Sequence, residues 1–206
     1  MKEYNEDDIQ VLSARDAVRL RPQLYFELCF NEGSLDALPF EVLCHAFDEY
    51  FDGKCSSIKL VVSKHSFTID YDAGMSLEPT PSGISIAESI MTQIGACSNQ
   101  KKHLEVGQEF CSLGMATINF AAASCELITQ SNGQKGVYTF EKGLLKHKQE
   151  APVASTTSAA TSISVHPDPE IFPELFFTSM GIQKKVDRLS EKLDELTFQV
   201  LDNIAN

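Results

Sequence analysis

The sequence predicts an α/β sandwich of two layers, with helices on one face of a mixed, mostly antiparallel sheet. Three observations lead there. Short β-type runs are interleaved with amphipathic helical stretches along the whole chain. The segment P-F-E-V-L-C-H-A-F-D-E-Y-F-D-G, residues 39–53, read as a helix, gathers Phe40, Leu43, Phe47, Tyr50 and Phe51 on one apolar face. From Gly181 onward, Ile182, Val186, Leu189, Leu193, Leu196 and Val200 alternate spacings of four and three, the period of a helix lying on a sheet.

Taken in order, a short helix is expected over residues 14–19, with Pro22 ending it. A loop at 31–34 contains Asn, Gly and Ser, and the helix at 39–53 follows, stopped by Gly53. Residues 57–64 (S-I-K-L-V-V-S-K) and 66–71 alternate as strands and read as a hairpin. The stretch D-A-G-M-S-L-E-P-T-P-S-G that follows is a loop by composition. Residues 84–94 stack Ile86, Ile90 and Ile94 as a helix does. Residues 96–109 are polar and without clear period, the character of a lid or binding loop. A helix over 113–122 comes next, then two strands flanking S-N-G-Q at 131–134, a hairpin signal. The low-complexity run A-P-V-A-S-T-T-S-A-A reads as a surface loop leading into the strand T-S-I-S-V-H. The last helix is expected over 181–204, with a dimerising coiled coil as the minority reading of so short a repeat.

Composition narrows the function. The 206 residues suit one sizeable core, and 43% hydrophobic with 22% charged residues is ordinary for a globular chain. With 29 acidic against 17 basic residues the formal charge is −12, which argues against direct binding of a nucleic-acid backbone. The six cysteines include no C-x-x-C pair, so neither a zinc ribbon nor a disulfide framework follows from their spacing. Without an apolar signal region or a membrane-length apolar run, a cytoplasmic location with reduced thiols is expected.

The residues that raise a chemical question lie on the 39–53 segment. Glu41, His45, Asp48, Glu49 and Asp52 form a polar stripe, with Glu41–His45 and His45–Glu49 at i,i+4 spacing. Spacing alone allows a general base beside a metal ligand, a solvated helix face, or a catalytic site that has lost a part.

Several stretches, in chain order, resemble one family. Residues 4–25, Y-N-E-D-D-I-Q-V-L-S-A-R-D-A-V-R-L-R-P-Q-L-Y, are similar to the N-terminal arm and first helix of the bacterial gyrase B and topoisomerase IV B proteins. E-S-I-M-T-Q-I-G-A at 88–96 resembles the helix before that family's ATP lid, and H-P-D-P-E-I-F at 166–172 the segment after its last nucleotide-binding strand. The resemblance implies one domain over 1–206, the sandwich of the GHKL class of ATPases. It consists of an arm and first helix over 1–26, a degenerate lid over 96–112 and the C-terminal helix, without transducer or DNA-cleavage domains.

In that family a Glu activates the attacking water and an Asn four residues on holds Mg²⁺. Glu41 matches the Glu, but His45 stands in the Asn position, and Asp48 and Glu49 match an acidic pair further along. An Asn carbonyl suits hard Mg²⁺ whereas imidazole prefers softer metals, so magnesium binding is put in question, and no metal ligand is assigned. D-A-G-M-S fits the adenine motif D-x-G-x-G as Asp72 and Gly74, with Ser76 replacing the second Gly; a two-residue shift would align Asp70 instead. The glycine-rich phosphate lid corresponds to Q-E-F-C-S-L-G, where only Gly114 survives and Glu109 adds a like charge. At ~4 Å such a charge repels another by about 4 kcal/mol for an effective dielectric near 20. Gly107, Lys101 and Lys102 are the candidates for partial compensation. Thr161 matches the Thr beside the adenine, Ala160 replaces the preceding Gly, and Ile163 matches an apolar lining position.

The resemblance therefore implies a divergent ATP-binding domain with weakened or lost hydrolysis. The alternative is a pseudo-ATPase that no longer binds nucleotide and serves as an interaction or regulatory module. Adenine nucleotide, and a protein partner or second copy engaging the N-terminal arm, are the expected ligands; DNA and membrane are not.

Overall fold

The computed structural model describes residues 11–96, 104–154 and 160–204. Ser13 starts the first helix, α1 (Ala14–Leu20), by accepting the Asp16 N–H on its hydroxyl at 3.1 Å. Pro22 occupies the first turn of α2 (Pro22–Tyr25), where its missing N–H costs nothing, so the proline opens a helix as well as closing the one before. After α3 (Glu27–Glu32), Gly33 supplies the left-handed residue that ends it.

The segment expected as one helix over 39–53 is two. α4 (Leu38–Glu41) and α5 (Cys44–Phe51) are separated by Val42 and Leu43, whose ψ values lie near zero. A continuous helix would turn Val42 toward the polar side. The break instead buries Phe40, Val42 and Leu43 together, and it carries Glu41 inward with them. α6 (Ile86–Thr92) is capped by Ser85. α7 (Leu104–Phe110) forms within the stretch expected to be an irregular lid, and α8 (Gly114–Phe120) follows directly.

Seven strands make the sheet: β1 (Ser57–Ser63), β2 (Ser66–Tyr71), β3 (Ala122–Ser131), β4 (Gln134–Glu141), β5 (Leu144–Pro152), β6 (Ala160–Pro167) and β7 (Thr197–Asn203). Their order is β5-β4-β3-β6-β2-β1-β7, antiparallel throughout except for the β1–β7 pair. The mixed, mostly antiparallel sheet expected from the sequence is thus present. β5 is an addition: nearly every residue in it is exposed, so no hydrophobic alternation marks it.

β7 corrects the expectation of a helix over 181–204. The helix, α9 (Ser179–Lys192), ends at Leu193, and the chain re-enters the sheet. Leu196 and Val200 fit a helical spacing of four, yet with Phe198 between them they also fit the period of a strand. Thr197, Phe198 and Val200 are β-favouring, and pairing with β1 settles the choice.

One sheet face is covered. Ile58, Leu60, Val62, Phe67, Ile69, Tyr71, Leu127, Ile163 and Val165 point toward the helices and are nearly inaccessible, while their neighbours in sequence are half-buried or exposed on the other face. Arg19 ties α1 to this core: its guanidinium lies 2.6 Å from buried Asp168 and also donates to the Phe120 carbonyl at 2.9 Å. Burial alone would push the Asp168 carboxyl up, but Arg19 and the Glu170 N–H hold it below the usual range. Five cysteines in the described residues (Cys29, Cys44, Cys55, Cys111, Cys125) are buried thiols, and burial pushes those of Cys29, Cys55 and Cys125 up to about 12. No helix among the described residues is long and apolar enough to cross a membrane.

Candidate functional site

The break between α4 and α5 decides the chemistry of Glu41. Its side chain is 8% exposed and faces the start of α8. One carboxylate oxygen accepts the backbone N–H groups of Leu113 at 2.8 Å and Gly114 at 3.4 Å; the other accepts the Ser112 hydroxyl at 3.2 Å. Gly114, held at φ 74, is the pivot that aims these amides at the carboxylate. Burial pushes the Glu41 carboxyl up to about 7, against the lowering effect of those same hydrogen bonds. Glu41 and Gly114, matched to different motifs of the family, are therefore in direct contact.

His45, on α5, does not pair with Glu41 as i,i+4 spacing within one helix would suggest. Its Nδ1 lies 3.1 Å from the Tyr71 hydroxyl, and the two rings are tilted at 42° with centroids 5.8 Å apart. Burial, with a smaller contribution from Lys54, lowers its pKa to about 4, so the ring is neutral near pH 7. The 3.8 Å approach of Nε2 to Glu49 is then a polar contact, not an ion pair, and the charge of Glu49 is met by Lys54 at 3.5 Å. Among the described residues no three His, Cys, Asp or Glu side chains are grouped to hold a metal.

The residues matched to the adenine motif separate. Asp72 turns to the uncovered face of the sheet, where it accepts the Ser56 and Ser57 N–H groups at 2.9 and 3.0 Å and the Ser56 hydroxyl at 2.6 Å. Burial opposes its ionisation, but these hydrogen bonds bring its pKa down to about 2. Gly74 has a packing reason to be glycine: a β-carbon there would stand 1.8 Å from the Gln130 carbonyl oxygen. Its neighbour Met75 donates its N–H to Thr129 at 2.8 Å, fastening the 72–76 loop onto β3. Thr161 is buried and donates to the Ala73 carbonyl at 2.7 Å while its hydroxyl also meets that of Thr129 at 2.8 Å. Ile163 is fully buried in the centre of β6. Glu109 is neutralised by Arg188 at 2.5 Å and Lys192 at 3.2 Å on α9. Lys101, Lys102 and the front of the predicted lid, like residues 1–10 of the arm, lie outside the described residues.

The space left between α5, α6 and the start of α8 is about 120 Å³, lined by Cys44, Ile90, Gln93, Cys111 and Gly114. Ligand sites are commonly about 300–1,000 Å³. Sequence reasoning missed Tyr71, which supplies the partner of His45, and Leu113, whose amide meets Glu41. Tyr71 could have been found from strand alternation, because Phe67, Ile69 and Tyr71 share the inward face. Nothing in the sequence marks Leu113, whose contribution is a backbone N–H.

The fold is an α/β two-layer sandwich, an architecture consistent with the GHKL type. Its relatives are particular: the chain is similar over nearly its whole length to the B proteins of DNA gyrase and topoisomerase IV. It is 29% identical over 202 residues to the DNA gyrase B protein of Clostridium acetobutylicum, covering 95% of this chain and 30% of that protein. It is 26% identical over 204 residues to the DNA gyrase B protein of Rickettsia typhi, 97% and 25% respectively. With the DNA topoisomerase 4 B protein of Mycoplasma genitalium the identity is 25% over 209 residues, 98% and 32%. The chain thus spans between a quarter and a third of the length of these relatives. No protein-family profile matches it.

Proposed function

We propose that this topoisomerase-related domain is a pseudo-ATPase: a gyrase-B-like sandwich that has lost ATP hydrolysis and works as a cytoplasmic interaction module. The observation that carries the reading is the Glu41 carboxylate, which accepts the Leu113 and Gly114 amides. In the resembled family the corresponding lid amides wrap phosphate. Here an internal carboxylate takes that hydrogen-bonding capacity. Three further features support it: the 120 Å³ cavity, the neutral His45 in the magnesium position, and an Asp72 whose oxygens are engaged on the far face. The partner this reading calls for is a protein, either a second copy or another chain. The charge of −12 weighs against DNA.

One observation favours a second reading, slow turnover with weak adenine-nucleotide binding: a carboxyl poised near pH 7 has the pKa of an effective general base. Calorimetry with ADP and a non-hydrolysable ATP analogue, with and without Mg²⁺, separates the two. Under the pseudo-ATPase reading neither nucleotide gives Mg²⁺-dependent heat. His45→Asn, which restores the family side chain, brings no Mg²⁺-dependent affinity, because Glu41 still holds the amides. Tight Mg²⁺-dependent binding by the unaltered chain would sink this reading, as would phosphate release that Glu41→Gln abolishes.

A further inference from the structure

The uncovered face of the sheet carries a larger concavity than the helix-side cleft, about 410 Å³, within the range of small-molecule sites. Strand register builds it. Lys59 on β1 lies opposite Asp70 on β2, Asp70 opposite Ser162 on β6, and Ser162 opposite Ile128 on β3. In the next row Ala160 lies opposite Gln130. Small Ala160 and Ser162 form the floor, and the longer Lys59, Ile128 and Gln130 rise at its two sides.

The polar groups around this floor are unevenly matched. Asp70 accepts the Ser162 hydroxyl on one oxygen at 2.6 Å. Asp72 at the rim is engaged by three donors, so its charge is already answered. Lys59 makes no ion pair among the described residues, although Asp70 is its direct cross-strand neighbour, a position where opposite charges ordinarily pair. The Gln130 side-chain oxygen accepts no hydrogen bond among the described residues and is closed off from solvent, so a turn of the side chain is needed to present it. A buried acceptor without a donor is costly to a fold. Unanswered among the described residues are one cation and one neutral acceptor, beside an apolar wall at Ile128 and a carboxylate with one oxygen hydrogen-bonded to Ser162.

We propose that this concavity is a binding site for a zwitterion of free amino-acid size. Its ammonium group lies on the second oxygen of Asp70, where a turn of the Gln130 side chain brings a further acceptor to it, its carboxylate lies on Lys59, and its side chain lies against Ile128 and Ala160. The complement is chemical: the ammonium supplies the donors that Gln130 and Asp70 accept, and the carboxylate supplies the anion that Lys59 faces. The site is on the opposite side of the sheet from Glu41 and His45 and does not depend on whether the helix-side cleft takes nucleotide.

The test titrates the 206-residue chain with individual L-amino acids, followed by backbone amide NMR shifts. Each amino acid that binds is compared with its N-acetyl derivative, which lacks the ammonium, and its primary amide, which lacks the carboxylate. At least one aliphatic amino acid is expected to shift amides of β1, β2, β3 and β6, and each derivative to bind about 10-fold more weakly or worse. Lys59→Ala and Ala160→Leu, at half-buried and exposed positions respectively, are expected to weaken binding to a similar extent, with Lys184→Ala, at an exposed position on α9, as a control that leaves it unchanged. The spectra themselves report whether each variant is folded. No shifts at about 10 mM of any amino acid, a blocked derivative that binds as tightly as its parent amino acid, or unaltered binding by Lys59→Ala would each overturn the proposal. So would an adenine nucleotide shifting the same amides in place of an amino acid.

Discussion

On the helix side of the sheet, the groups with the most chemical character are all met from within the chain. Glu41 has two amides and a hydroxyl, and His45 has a tyrosine hydroxyl. On the open side, Lys59 and Gln130, side chains with no counterpart in any catalytic motif, are left unmatched among the described residues, while the orphan acceptor of the helix layer is the Asn119 oxygen on α8. The difference separates two properties that motif reading merges: carrying a reactive residue type, and presenting it. A carboxylate whose oxygens already accept hydrogen bonds in a buried niche is part of the frame. An orphan acceptor in a concavity is where a ligand gains most.

The contrast can be broken most severely at Gly74, which lies between the two regions. A β-carbon 1.8 Å from the Gln130 carbonyl oxygen forces the 72–76 loop off β3, disturbing both the Thr161 hydrogen bonds and the open-face floor. Gly74→Ala is expected to cost about 3 kcal/mol or more, read as a lowered urea midpoint. A variant with the parental midpoint would mean the loop does not lie where the contrast needs it.

Next in size is an opposed pair of pH effects inside the cleft. Glu41 has its folded pKa raised from 4.5 to about 7, so the folded state holds the extra proton and stability falls as pH rises across that interval. His45 has its pKa lowered from 6.5 to about 4, so the unfolded state holds the extra proton and stability rises with pH across that interval. From about pH 4.5 to 6.5 the two slopes cancel. Each interaction amounts to about 3 kcal/mol. Glu41→Gln is expected to unmask a stability that climbs with pH over this window, and His45→Asn one that declines. Denaturant melts at several pH values test both, and parallel profiles for the two variants would refute the buried environments described.

Tyr71→Phe removes the hydroxyl that answers His45 and is expected to cost about 1 kcal/mol. The smallest effect belongs to the open face: Lys59→Ala, which breaks no ion pair among the described residues, is expected to change stability by less than about 0.5 kcal/mol. A Lys59 variant as destabilised as Tyr71→Phe would erase the distinction between the two sides.

The sandwich was legible because its central strands alternate cleanly. The 57–71 hairpin and the strand around Ile163 follow from period two; the helix expected over 84–94 is present as Ile86–Thr92, although of its three spaced isoleucines only Ile90 is buried. β5 was not legible, since a strand with almost every residue in water carries no hydrophobic pattern. Nor was the break after Glu41: residues 39–53 contain no interior Gly or Pro to signal it, and it arises because burying Val42 and Leu43 outweighs helical continuity. That break explains the site as well. On an unbroken helix Glu41 and His45 would share a stripe, whereas in the fold they meet different neighbours, one of them through backbone amides that no side-chain motif encodes. Asp72 shows the same limit in reverse, because which face a loop carboxylate takes depends on the strand parity before it. Tyr71 faces inward, so Asp72 faces out.

The buried cysteines give the molecule an intrinsic reporter. Thiols held at about 12 and shielded from solvent present almost no thiolate to an alkylating reagent while the chain is closed. Cys44 and Cys111 line the helix-side cavity, Cys125 sits within the sheet, and Cys55 lies under the loop that Asp72 fastens. Labelling rates at these positions would therefore time the opening of each part separately, and a cleft that breathes to admit a ligand would announce itself first at Cys44 and Cys111.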